Sequence, residues 1–161
     1  MYSSLPFLAL LPTTFAHFLL NYPPSLGFDE DTQGTAPCGG VEVTIPENAT
    51  EITVGAFSVA ARSTHPQANW LYRVTTSTEE PYNWTNILPV VSQSGLNNFC
   101  LPNLKIPESF IGQQGIIQVI QSATDGALYQ VRDFCEHTSK LGADATHPVR
   151  CCELHRGHHF S

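Results

Sequence analysis

Apolar and polar residues alternate through the middle of the chain. VEVTIP (41–46) and EITVGAFSVA (51–60) switch between the two with period two and are rich in Val, Ile and Thr, the mark of strands that bury one face. LYRVTTS (71–77), GIIQVIQSA (115–123) and ALYQV (127–131) read the same way. Turn signals separate them: Pro46-Glu47-Asn48, Glu80-Pro81, Ser94-Gly95 and Asp125-Gly126. The Asp-Gly pair, set between two alternating runs, is the strongest hairpin cue. No stretch holds a helical period, and the frequency of proline works against one. Short strands at these intervals predict an all-β chain folded as an antiparallel β-sandwich, with no internal repeat and no low-complexity segment.

Residues 1–16 stand apart from this pattern and read as a signal peptide. LPFLALL (5–11) is a short apolar run, and Thr14-Phe15-Ala16 places small residues at both recognition positions of a cleavage site. The run is too short to span a bilayer, no later run is long enough, and the C-terminus lacks the hydrophobic tail of a lipid-anchor signal. The chain after residue 16 is long enough for one compact domain with a real core. A net charge of −7 with seven Lys+Arg argues against nucleic acid or an anionic membrane as partner. Two sequons, Asn48-Ala49-Thr50 and Asn83-Trp84-Thr85, make Asn48 and Asn83 glycosylation candidates in a secreted protein. Cys38, Cys100, Cys135, Cys151 and Cys152 are disulfide candidates, and their odd number leaves one over.

Cleavage after Ala16 would make His17 the N-terminus, carrying an α-amine and an imidazole in chelating position. With one further imidazole, three nitrogens lie in a plane, a set that suits Cu(II). The amine's reference pKa of about 8 lets a metal displace its proton near neutrality. One histidine lies between His17 and residue 136: His65, in the loop ARSTHPQANW between two predicted strands, with Pro66 directly after it. The segment NYPPSLGFDEDTQGTAPCGG behind His17 predicts a long ordered loop with Cys38 as a staple, and its acidic run Asp29-Glu30-Asp31 reads as a solvated face. Near the C-terminus, Cys151-Cys152-Glu153-Leu154-His155 and His158-His159 gather soft donors but lack the paired spacing of zinc sites.

An ordered set of motifs then narrows the reading. H-F-x-L-x-Y-P from His17, G-F-D-E-D-T-Q (27–33), P-C-G-G (37–40), His65 in its loop, N-F-C-L-P-N-L-K-I-P (98–107) and D-G-A-L-Y-Q (125–130) together resemble the fungal copper-binding family typified by copper acquisition factor Bim1-like proteins. That group is also called X325 and is related in fold to lytic polysaccharide monooxygenases. The resemblance covers roughly residues 17–130. It implies an immunoglobulin-like β-sandwich and a histidine brace, with copper held by His17 through amine and ring and by His65 through its ring. It also implies an aspartate beside the metal, from a family motif L-Y-Q-C-A-D, and a role in copper handling at the cell surface, with a cell-surface copper transporter as partner.

The match breaks after Gln130, where the chain reads V-R-D-F-C-E-H. Asp133 still falls three residues after Gln130 and is the candidate third metal residue. Val131 stands where the family motif has cysteine, and Cys135 comes four places later. A retained intron accounts for this: valine codons begin GT, and Phe160-Ser161 can encode a pyrimidine tract ending in AG. On that reading Asp133 is a coincidence of register and Cys100 has lost its partner. The alternative is a divergent tail in which Cys135 replaces the missing cysteine. The expected organisation is a domain over 17–133, altered or missing at its C-terminal strand, and an atypical tail over 134–161.

The leading function is a secreted or cell-surface copper(II)-binding protein of copper acquisition or homeostasis, with no catalytic residues. The alternative is a copper oxidoreductase of the polysaccharide monooxygenase kind, which needs an open coordination position that a neighbouring carboxylate would contest. A third reading, a wall-binding module, would use Trp70, Tyr82 and Trp84 as a stacking surface, although aromatics in a sandwich more often form core.

Overall fold

In the computed structural model the alternating runs pair into two sheets. Residues 16–45, 50–53, 57–110 and 112–137 are described, by backbone alone at 50–53 and 135–137. The strands are β1 (Phe18–Tyr22), β2 (Thr50–Thr53), β3 (Phe57–Ser63), β4 (Gln67–Thr75), β5 (Thr85–Asn86), β6 (Val91–Ser94), β7 (Asn97–Leu104), β8 (Gln114–Ala123) and β9 (Gly126–His137). A small sheet runs β1-β3-β7, and a larger one runs β2-β9-β8-β4-β5 with β6 also on β4. Every pairing is antiparallel except β2 with β9. The two sheets face each other across Phe18, Leu20, Phe57, Val59 and Ala61 on one side and Trp70, Tyr72, Val74, Ile117, Val119 and Phe134 on the other. Val74, Val119 and Phe134 are fully covered, and burial of each such side chain contributes about 1.5–3 kcal/mol.

This is the antiparallel sandwich the alternation predicts, with three local differences. The stretch 41–45 forms no strand. Its alternation arises because Val43 packs on a buried cluster, and half-burial of side chains does not require a ladder partner. The run 51–60 divides into β2 and β3. Strand β9 continues through Asp133 to His137, pairing with β8 as far as Cys135 and with β2 from Phe134 to His137, so the sandwich keeps a strand past the expected boundary at 133. Strands β1, β6 and β7 carry no clean alternation; β7 contains Pro102, and β1 contains adjacent leucines, one buried and one exposed.

Both faces of β8 are buried, one against the small sheet and the other under the segment 26–43. Leu26 N–H donates to the Val131 carbonyl and Tyr129 N–H to the Gln33 carbonyl, each at 2.9 Å. Beneath this cover Cys38, Ile116 and Val131 form a small core with Leu26, Val43, Tyr82 and Trp84 packed around it. Cys38 is a free thiol and not the expected staple, since its buried neighbours Ile116 and Val131 cannot bridge it. Burial pushes its pKa up, against a hydrogen bond with Tyr82 that lowers it. Cys100, expected to have lost its partner, is disulfide-bonded.

Trp70 lies in the core at 2% exposure. Tyr82 and Trp84 pack on the Cys38 cluster, with Arg73 over the Trp84 ring at 4.9 Å. The three aromatics therefore form no common stacking surface. Asn83 is exposed. Asn48, residues 1–15 of the expected signal peptide, Cys151, Cys152 and the histidines after His137 lie outside the described residues, as does the side chain of Cys135.

Gly39 lets the covering loop press onto β9. It adopts φ +69°, and a Cβ there would lie 2.3 Å from the Tyr129 carbonyl oxygen. Gly39→Ala should therefore lower unfolding stability by about 2–4 kcal/mol in urea titration. Gly95→Ala, at φ +108° but with nothing within 4 Å of its Cβ, should cost less, because it carries backbone strain without collision. Equal losses would remove the close approach as the cause.

Candidate metal centre

The first described residues are locked to the turn after β3. Thr64 N–H donates to the His17 carbonyl at 3.0 Å. The Thr64 hydroxyl accepts from the His17 N–H at 2.8 Å and donates to the His17 carbonyl at 2.9 Å. Phe18 stands opposite Ser63 in the β1–β3 ladder, so His17 is carried to the turn that bears His65. The His17 ring donates from Nε2 to the Glu30 carbonyl at 3.1 Å and meets the Phe28 ring edge to face at 6.3 Å. Within the acidic run, the Asp29 carboxylate accepts from the N–H groups of Asp31 and Thr32 at 2.8 and 3.3 Å, building the turn that presents the Glu30 carbonyl.

His65 is buried, at 4% exposure. Its N–H donates to the Ser63 hydroxyl at 3.0 Å, and its carbonyl accepts from the Gln93 amide at 2.7 Å. The ring nitrogen Nε2 sits 2.8 and 3.0 Å from the two carboxylate oxygens of Asp125. The buried Nδ1 on the other side of the ring has no hydrogen-bond partner. Burial alone would push the Asp125 carboxyl up. The hydrogen bond from His65, the backbone N–H groups of Asp125 and Ala16, and the charge of His65 outweigh it and hold the carboxyl below its ordinary value. One carboxylate thus binds His65 and the residue preceding His17.

The candidate third residue is elsewhere. Asp133 pairs with Ile116, which in turn pairs with Thr75, at the end of the large sheet remote from the 124–125 turn. Eight residues of extended strand separate it from Asp125, about 27 Å. It is fully buried and lies 3.2 Å from Arg132 Nε. Tyr129, Val131 and Asp133 do share a face, but that face lies under the covering loop and not toward the histidines. The carboxylate that the fold brings to His65 is Asp125, whose place in the sequence marks it only as a turn former. Antiparallel pairing of β4 with β8 would have revealed it, because residues just before β4 and just after β8 must meet at one end.

His17, His65 and Asp125 offer imidazole and carboxylate donors of the kind a divalent transition metal takes, and the Nε2 edge of the His65 ring faces the carboxylate that also reaches the residue before His17. Among the described residues no three His, Cys, Asp or Glu side chains converge at ligating distance. The His17 ring is turned to the Glu30 carbonyl, and the His17 nitrogen is here a peptide N–H bonded to Thr64. Peptide nitrogen carrying its proton is no ligand; a free amine is.

Among the described residues no helix is long and apolar enough to cross a membrane. A family model described as copper acquisition factor BIM1-like matches residues 15–151. An uncharacterised protein of Aspergillus fumigatus is 32% identical over 123 residues, covering 74% of this chain and 51% of that one. The lytic polysaccharide monooxygenase-like protein X325 of Yarrowia lipolytica is 32% identical over 141 residues, covering 82% of this chain and 53% of that one. The chain spans about half the length of these curated relatives. Among solved structures, a polysaccharide monooxygenase CBM33 superposes with a TM-score of 0.57 at 18% identity, over 74% of this chain and 99% of that one, which shows the immunoglobulin-like β-sandwich and no more. By motif order, fold and family match, the chain belongs to the copper acquisition factor BIM1-like family.

Proposed function

We propose that the mature protein begins at His17 and binds Cu(II) through the His17 amine and ring and the His65 ring, with Asp125 beside them, as a secreted or cell-surface protein of copper acquisition or homeostasis. The observation that carries this reading is the lock between His17 and Thr64 beside His65, whose ring engages Asp125. The three side chains divide the work. His17 supplies a chelating pair once its amine is free, and His65 supplies a ring nitrogen already desolvated. Asp125 orients the His65 ring and adds the negative charge that favours a dication. Bound copper would supply a Lewis-acidic, redox-active centre. Asn48 and Asn83 as glycan sites, a disulfide at Cys100 formed during secretion, and a cell-surface copper transporter receiving the metal complete the proposal.

The second reading is a copper oxidoreductase acting on polysaccharide, favoured by the monooxygenase-like fold. The Asp125 carboxylate opposes it, because its charge contests the position an oxygen species would need. Incubation with chitin or cellulose, reductant and oxidant should release no oxidised oligosaccharides; their release would establish the enzyme instead.

Intact mass of the secreted protein should give a start at His17, and a start elsewhere removes the brace. His65→Ala should weaken Cu(II) binding about 10–100-fold or more and remove one nitrogen from the electron paramagnetic resonance signal. Joint replacement of His147, His155, His158 and His159 by alanine, or Asp133→Asn alone, should leave signal and affinity unchanged. The reverse pattern places the site in the tail.

The apo protein should also show the Asp125–His65 bond in its acid stability. The folded pKa of Asp125 lies below the unfolded value of about 3.9. Its stabilisation is therefore complete above that value and is lost as pH falls through the folded pKa. Asp125→Asn should lack this acid limb in chemical denaturation between about pH 5 and pH 2; an identical pH profile would dissolve the pairing.

A further inference from the structure

Five glutamines are buried among the described residues: Gln33, Gln93, Gln118, Gln121 and Gln130. An amide taken out of water is costly unless bonded, so the partners of these five show what each is retained for. Four of them hold the backbone around the two histidines. Gln33 and Gln130 both donate to the Phe18 carbonyl, at 2.6 and 2.5 Å, and the Gln130 oxygen accepts the Leu20 N–H at 2.9 Å. Gln93 donates to the His65 carbonyl at 2.7 Å while its oxygen accepts the Trp70 indole N–H at 2.7 Å. Gln121 donates at 2.6 Å to the Ser63 hydroxyl, the same hydroxyl that accepts the His65 N–H. The fifth, Gln118, donates to the Pro37 carbonyl and accepts from Arg73, away from both histidines.

We infer that Gln33, Gln93, Gln121 and Gln130 are positioning residues for the metal centre, a role that rests on the proposed copper site. A chain end created by cleavage frays unless it is tied down. The double donation onto the Phe18 carbonyl ties it one residue from His17, by Gln130 from β9 in the opposite sheet and by Gln33 from the covering segment. Gln93 and Gln121 fix the other histidine from β6 and β8. The Oε1 atoms of Gln33 and Gln121 lack hydrogen-bond partners, so the fold engages these two through their NH₂ ends. A neutral amide suits this role, because it offers donor and acceptor at any working pH and places no buried charge beside a dication.

The test uses mature, copper-loaded protein and four variants: Gln130→Met and Gln93→Met, which keep length and remove the bonds; Gln130→Glu, which keeps the acceptor for Leu20 and removes the donor to Phe18; and Gln118→Met, an equally buried glutamine outside the set. The first three should bind Cu(II) about 10–100-fold more weakly, as loss of supporting partners around metal ligands does, with altered copper hyperfine coupling. Gln118→Met should keep wild-type affinity and spectrum even if it unfolds at lower temperature. Should a Met variant at 130 fail to fold, Gln130→Glu carries the comparison. Unchanged spectra in all variants, or the same loss in Gln118→Met, would overturn the inference. Amide hydrogen exchange of the apo proteins separates the two readings. Faster exchange at Leu20 in Gln130→Met, where that N–H loses its acceptor, is expected; unchanged exchange overturns the positioning role. A wild type whose copper binding ignores His65→Ala overturns the copper site itself, and the metal-positioning role with it.

Discussion

The pairing of the His17 backbone with Thr64 is the constraint on which the rest of the site depends. Three hydrogen bonds between these residues tie the residue before β1 to the residue after β3. Because Thr64 precedes His65, the same tie sets the separation of the two histidines. A histidine pair far apart in sequence is thereby brought together by backbone geometry, before any metal is considered.

That tie is held in turn by the unusual burial of the large sheet. Ordinarily an antiparallel sandwich strand buries one face; here β8 buries both, because the segment 26–43 folds over the outside. The cover needs Gly39 against Tyr129 and brings Gln33 and the Glu30 carbonyl onto the first residues of β1. The same cover explains the cysteine result. With Val131 packed beside Cys38, the small outer core closes through dispersion and apolar burial in place of a covalent bond, and a thiol is left over.

Charge follows the same division. At the site end of the sandwich the Asp125 carboxylate lies on His65 and on the backbone ahead of His17, while the buried polar groups supporting the two histidines are neutral: four glutamine amides and the Ser63 hydroxyl. Asp133 sits beside Arg132 at the remote end. Negative charge at one end with neutral support behind it is the arrangement that the proposed copper site calls for.

How much of this was legible in the chain depends on the range of the interaction. Alternation in 71–77, 115–123 and 127–131, with the Asp-Gly turn between the last two, determined the β8–β9 hairpin and most of β4, because side-chain alternation and turn chemistry act over a few residues. The ordered motifs from His17 to Gln130 determined the family and singled out the two histidines as candidates. Tertiary structure alone decided the rest. Whether 41–45 has a ladder partner, whether Cys38 has a sulfur opposite it, and which aspartate reaches His65 all depend on contacts between segments distant in sequence. Asp133 satisfied the count from Gln130, yet extended strand rises about 3.4 Å per residue, and the direction of β9 carries it away from the site while the turn that starts β9 leaves Asp125 there.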